Sequence, residues 1–177
     1  AYGMTETSGT ICVLPPDDHD LSGTERMRSA GRACPGVELK VVDEDGRELP
    51  SGEIGELWIR SPSNMQGYWN LPEATESSLT DNWMHTGDAA ILDQDGYVFI
   101  QDRIKDMIIS GGFNIYPIDL ENELLKEEGV VEAAVIGVPS KKWGETPVGF
   151  VTLESSDTAT VLAAVNARLG KTQRVSQ

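Results

Sequence analysis

Three short stretches hold side chains whose types and spacing could do chemistry: YGMTET at Tyr2 to Thr7, WMHTGD at Trp83 to Asp88, and DRIKDMIISGGFNIYP at Asp102 to Pro117. In the first, Glu6 is a lone carboxylate able to ligate magnesium, a cation that keeps several waters and takes other ligands from phosphates. Thr5 beside it offers a hydroxyl to a phosphate or carboxylate oxygen. A Ser/Thr/Glu run also caps helices, and this stretch alone leaves both uses open. In the second, Asp88 is acceptor-only, and its two oxygens suit both hydroxyls of a diol such as a ribose. Taken alone, Thr86-Gly87-Asp88 reads as just a turn before a strand. His85 is expected to be packed or at a solvent edge, and His19 to lie on the surface. In the third, Arg103 is a permanent cation. Gly111 and Gly112 interrupt a strand where no side chain blocks a ligand lying along the backbone, a strand-end turn being the alternative.

These residues need a scaffold, and the chain between them changes character once. From Pro35 to Gln101 short alternating segments are broken by turn residues. Strands are expected at Val37 to Val42, Glu56 to Arg60, Ala89 to Leu92 and Tyr97 to Ile100, with turns at Asp45-Gly46 and Asp95-Gly96. This predicts a small β-barrel or sandwich. The Asp-x-Asp-Gly stretches at 43 to 46 and 93 to 96 lack the glycine and glutamate placement of a calcium loop, and read as turns. After Asp102 the pattern predicts a short strand at Met107 to Ser110 and a helix starting at Pro117, with Ile118, Leu120, Leu124 and Leu125 on its apolar side. Val130 to Val138 reads as a central strand, Pro147 to Leu153 as another, and Glu154 to Asp157 as a polar turn. Val161, Leu162, Val165 and Leu169 share a helical face, with Asp157 or Thr158 as cap. The fold class is therefore α+β. The division is expected as residues 1-102 and 103-177, joined by a tight hinge at Arg103 to Asp106 rather than a loose tether.

Composition narrows the partners. With 29 acidic against 14 basic side chains, a formal charge of -15 opposes nucleic acid and anionic lipid. No run of eighteen apolar residues is present to span a bilayer. Cys12 and Cys34 have no metal-ligand spacing and read as reduced structural thiols, which fits a cytoplasmic setting.

In this order, the three stretches resemble the adenylate-forming superfamily, most nearly the fatty-acyl-type acyl-CoA synthetases, whose relatives include luciferases and peptide-synthetase adenylation domains. The resemblance runs from Tyr2 to about Leu169. It implies an AMP-forming ligase acting on a carboxylic acid, ATP with Mg2+, and coenzyme A, with Tyr2 and Gly3 flanking the adenine. It further implies that Thr5 bonds the α-phosphate or acyl carboxylate, that Glu6 is the metal ligand, and that Asp88 and Arg103 hold the ribose. Lys105 takes the hinge position, where backbone rotation matters more than the side chain, and the pantetheine arm passes Gly111 and Gly112. Asn114, Ile115 and Pro117 continue the family pattern, while Trp143-Gly144-Glu145 reads as structural. The family's glycine-rich phosphate loop and late catalytic Gly-Lys loop are not in this sequence. Lys171, directly after the last helix, is expected to be a surface residue. The chain is thus expected to be the end of the large domain plus most of a small mobile domain, inactive by itself. Alternatives are a carrier-protein adenylation enzyme, a luciferase-type oxygenase and a non-catalytic nucleotide-binding module. The acyl substrate is not legible from these residues.

Overall fold

A computed structural model describes residues 1–20, 22–155, 157–171 and 173–176. They form two compact units, Ala1–Gln101 and Asp102–Gln177, each with its own core.

The first unit is built on β1 (Tyr2–Met4), β2 (Gly9–Val13), β3 (Gly31–Ala33), β4 (Glu38–Val42), β5 (Ile54–Arg60), β6 (Leu79–Thr80), β7 (Trp83–Leu92) and β8 (Tyr97–Arg103), with one helix, α1 (Pro72–Ser78). The strands pair in the order β1-β2-β3-β8-β7-β5-β4, and β6 attaches to β7. The path has two ends, so the sheet is not closed into a barrel among the described residues. Barrel closure needs strands long enough to tilt and stagger around an axis, and β1 and β3 have three residues each. Ile11, Cys12, Leu57, Ile59, Met84, Ala90 and Val98 are buried and form the core. Alternation along the strands supplies them, as the pleat requires.

Both Asp-x-Asp-Gly stretches are turns. The Asp43 carboxylate accepts from the N–H groups of Asp45 and Arg47, and Asp93 does the same for Asp95 and Tyr97. Such side-chain acceptors tie a tight turn without any metal. Cys12 and Cys34 are free thiols, and burial pushes the Cys12 thiol up to about 12.

The second unit comprises β9 (Ile108–Ser110), β10 (Phe113–Ile115), α2 (Pro117–Leu124), β11 (Val130–Ser140), β12 (Gly144–Leu153) and α3 (Thr158–Arg168). Pro117 opens α2 at a position where its missing N–H costs nothing. Asp157 caps α3, its carboxylate accepting from Thr160 N–H at 3.0 Å. Of the expected Glu154 to Asp157 turn, Ser156 lies outside the described residues. Leu120 and Leu124 from α2 meet Val161 and Val165 from α3, together with Ile108, Ile115 and Val135. Ile118 and Leu125 remain exposed, so the helix buries a narrower stripe than its apolar residues suggest.

The sheet order β10-β9-β12-β11 corrects one expectation: the apolar run from Val130 is an edge strand, not a central one. Only Val135 of β11 is buried, and Ile136 is half exposed. The run is long because β11 pairs with β12 over ten positions, from Val130↔Leu153 to Ser140↔Gly144. Continuous hydrophobicity does not distinguish an edge strand from a covered one.

Candidate functional site

The YGMTET stretch folds as β1 followed by a single 3-10 turn, Thr5–Thr7. Thr7 closes it: its hydroxyl donates toward Met4 and Gly9 carbonyls, both at 2.9 Å, and accepts from Met4 N–H at 3.2 Å. Thr7 is buried, so the capping duty falls to it and Thr5 is left exposed, with Glu6 half-buried beside it. Gly3 is required by the sheet itself, since a Cβ there would lie 2.1 Å from the Gly9 carbonyl oxygen across the β1–β2 pair.

Thr86-Gly87-Asp88 sits inside β7, not before it. The pairing of β5 with β7 shifts register between Glu56 and Trp58, and Gly87 there takes φ +71°, a conformation that favours glycine. Three hydrogen bonds hold this bulge. Thr86 Oγ1 donates to the Leu57 carbonyl at 2.7 Å, Gly87 N–H to Glu56 Oε1 at 3.0 Å, and Asp88 N–H to Thr86 Oγ1 at 3.1 Å. Glu56 Oε2 also accepts from the Trp58 indole at 2.8 Å. Bulges re-aim side chains, and this one sets Asp88.

The sheet then brings the first two stretches together. Tyr2 Oη donates to Asp88 Oδ2 at 2.5 Å, joining residues 86 positions apart. Burial, and then the hydrogen bond to Asp88, push the Tyr2 phenol well above its ordinary value, so it stays a donor. Tyr68 makes a second phenol–carboxylate pair, donating to Glu6 Oε1 at 2.8 Å. Neither Tyr68 nor Glu56 is marked by the sequence motifs. The only signal would have been their proximity in space. His85 is packed, stacked on Trp58 with ring centroids 3.9 Å apart, and His19 is exposed.

Arg103, Lys105, Gly111 and Gly112 belong to the second unit. Arg103 ends β8, and Lys105 is exposed in the 3-10 turn Ile104–Asp106. Asp102 Oδ1 accepts from Arg103 N–H at 2.7 Å and Oδ2 from Ile118 N–H at 3.2 Å, fastening the start of this unit to the first turn of α2. Asp119 is pushed up by burial and by Asp102. Gly111 and Gly112 are the two central residues of the β9–β10 hairpin, with φ +60° and +82°. The backbone needs glycine there for the primed turn that matches strand twist, and a Cβ at Gly112 would meet open space. Trp143-Gly144-Glu145 is structural, as expected. The Trp143 carbonyl accepts from Gly111 N–H at 2.7 Å, and Glu145 Oε2 from Ile109 N–H at 2.8 Å. Lys171 is exposed.

Among the described residues no group of three or more His, Cys, Asp or Glu could hold a metal ion. Among the described residues no helix is long and apolar enough to cross a membrane.

Comparison with known proteins gives this arrangement its class. The family model for AMP-binding enzymes matches residues 1–69, and that for the AMP-binding enzyme C-terminal domain matches residues 119–177. The chain belongs to the AMP-binding, adenylate-forming enzyme family. It is 50% identical over 150 residues to the fatty acid–[acyl-carrier-protein] ligase ScoC of Streptomyces coeruleorubidus, covering 85% of this chain and 29% of that protein. It is 38% identical to the medium/long-chain-fatty-acid–CoA ligase FadD8 of Mycobacterium tuberculosis, covering 97% of this chain and 31% of that protein. ATP-bound MatB from Rhodopseudomonas palustris matches 99% of this chain and 35% of its own, with a TM-score of 0.88 and 40% identity. The chain thus spans about a third of the length of these relatives.

Proposed function

We propose that this chain is part of an acid–thiol ligase that activates a carboxylic acid, a fatty acid by preference, with ATP and passes the acyl group to coenzyme A. The observation that carries the reading is the Tyr2–Asp88 hydrogen bond, which fixes a carboxylate suited to a ribose diol in the unit that also holds the Thr5–Glu6 turn. Asp88 accepts from the ribose hydroxyls, and the family resemblance implies a ribose role for Arg103, a permanent cation. Thr5 donates its hydroxyl to the α-phosphate or the acyl carboxylate. Glu6 would meet the magnesium that comes with the nucleotide, which would supply positive charge to the phosphoryl oxygens. Attack of the carboxylate on the α-phosphorus forms the P–O bond of an acyl-adenylate and expels pyrophosphate. The thiol then attacks the acyl carbon and AMP leaves. Gly111 and Gly112 form a hairpin tip with no side chain to obstruct a pantetheine arm, and Lys105 is the pivot between the two steps. A cytoplasmic setting, where ATP and coenzyme A are found, accords with this reading.

ATP–pyrophosphate exchange by the full-length protein over carboxylic acids of graded chain length is the test. Exchange with fatty acids, followed by acyl-CoA formation, is expected, and absence of exchange with every acid would overturn the reading. A second acceptor is favoured by the 50% identity to a carrier-protein ligase. Acyl transfer to a pantetheinylated carrier protein but not to free coenzyme A would establish it instead.

A further inference from the structure

The segment from Ser61 to Leu71, between β5 and α1, contains none of the residues assigned above, yet it meets Glu6 at two points. Met65 N–H donates to the Glu6 carbonyl at 2.7 Å, and Tyr68 Oη donates to Glu6 Oε1 at 2.8 Å. The tyrosine is itself held from behind. Its N–H donates to Thr75 Oγ1 at 2.9 Å, and that hydroxyl donates to the Leu71 carbonyl at 3.0 Å, at the first turn of α1. Gly67 makes the approach possible: it takes φ +153°, and a Cβ there would lie 2.8 Å from Thr75 Cγ2.

From this geometry we propose that Tyr68 is a positioning residue for Glu6, selecting one carboxylate orientation before the nucleotide's magnesium arrives. The proposal rests on the reading of Glu6 as the metal-meeting carboxylate. A glutamate side chain rotates about three bonds, and ordering it on binding costs conformational entropy. Tyr68 occupies Oε1 with a hydrogen bond to a charged acceptor, a strong class of bond, so the orientation is chosen in the ligand-free protein and Oε2 is the oxygen the phenol does not engage. The Met65 bond fixes the backbone from which that side chain springs. The segment thus acts on the metal step through Glu6.

The test uses the full-length protein and two readouts, calorimetric ATP binding and ATP–pyrophosphate exchange, each across a magnesium titration. Tyr68→Phe removes only the hydroxyl and should raise the magnesium concentration for half-saturation on the order of ten-fold, the loss expected for one hydrogen bond to a charged group. The KM for the acid should not move. In a Glu6→Gln background, Tyr68→Phe should add nothing. Thr75→Val loosens the anchor behind Tyr68 and should shift the magnesium requirement in the same direction by a smaller factor, which tests the proposal even if Tyr68→Phe folds poorly. An unchanged magnesium dependence in Tyr68→Phe, or an equal shift in the Glu6→Gln background, would overturn the proposal. Normal magnesium dependence in Glu6→Gln alone would instead remove the role of Glu6, and a wild-type protein with no exchange would remove the ligase reading itself.

Discussion

If Asp88 receives both hydroxyls of a sugar, as proposed, it performs best when its own orientation is already chosen, and the Tyr2 phenol donating to Oδ2 makes that choice. Tyr2→Phe in the full-length protein should therefore lower kcat/KM for ATP about ten-fold, while Asp88→Ala should cost more by removing the acceptor outright, roughly 1.5–3 kcal/mol per lost charge-assisted bond. With an ATP analogue lacking both ribose hydroxyls the Tyr2→Phe penalty should vanish, and its persistence would show that Tyr2 serves adenine packing instead. His85 yields a prediction of a different kind. Burial lowers its pKa in the folded state, so between that value and the ordinary histidine value of about 6.5 the unfolded chain binds more protons. Stability contributed by neutral His85 is present above the ordinary value and is lost as pH falls through the folded one. His85→Phe keeps an aromatic ring on Trp58 and should flatten the fall in urea midpoint between pH 7.5 and 5, as measured beside wild type. At this scale Asp88, Glu6 and Thr5 were nameable as candidates from the sequence because their chemistry is in their own side chains. Tyr68 and Glu56 were not, because their partners lie 62 and 31 positions away and nothing in the chain pattern joins them.

Elements explain why those side chains can be aimed at all. Lys40, Trp58 and His85 stand in register across β4, β5 and β7, and the Lys40 ammonium lies 4.7 Å from the Trp58 ring and 4.4 Å from the Trp83 ring. These cross-strand contacts stiffen the strands on either side of the bulge that carries Asp88. Strand existence was readable from alternation and turn residues. The bulge was not, because Gly87 reads as a turn until the partner strand is known. Likewise the order that splits β1, β2 and β3 from β4 and β5 depends on pairings between distant segments. Gly31 marks the joint: it is buried at the start of β3 with φ +90°, and a Cβ would fall 2.0 Å from the Val13 carbonyl carbon. Gly36 has a similar φ of +81° but open space around it. Gly31→Ala should cost about 3 kcal/mol or more, combining left-handed strain with a backbone clash, whereas Gly36→Ala should cost only the strain, about 1–2 kcal/mol. Urea unfolding followed by tryptophan fluorescence distinguishes them, since Trp58, Trp69 and Trp83 all report from the first unit. Equal losses would mean that β3 moves aside to admit the methyl.

Each of the two units has its own core, and the change from hairpins to α+β after Asp102 is what suggests a division there from the sequence. The mechanical detail has no such signal. Lys105 lies in an exposed 3-10 turn, closed by the Met107 N–H donating to the Ile104 carbonyl at 3.2 Å. Just ahead of it, the Asp102 carboxylate is bonded to Ile118 N–H, so the entry to the second unit is tied to α2 while the turn that follows is held by one weak backbone bond. If residues 102–177 rotate as a body between the two half-reactions, the dihedral change has its least-restrained place at this turn. Lys105→Pro fixes φ near -65°, which suits the 3-10 turn at residue 105 itself, but it drives Ile104 out of helical angles and so opposes the turn as a unit. The variant can therefore satisfy only a narrowed set of backbone states. In the full-length protein we expect it to retain much of adenylate formation, read by pyrophosphate exchange, and to lose orders of magnitude in coenzyme A-dependent consumption of synthetic acyl-adenylate. Lys105→Ala leaves the backbone free and removes an exposed charge, so both rates should stay within a few-fold of wild type. Equal loss in the two assays for the proline variant would indicate misfolding, to be checked by its unfolding midpoint. Wild-type rates in both would place the pivot elsewhere, with the Gln101–Asp102 junction between the two units as the next position to substitute.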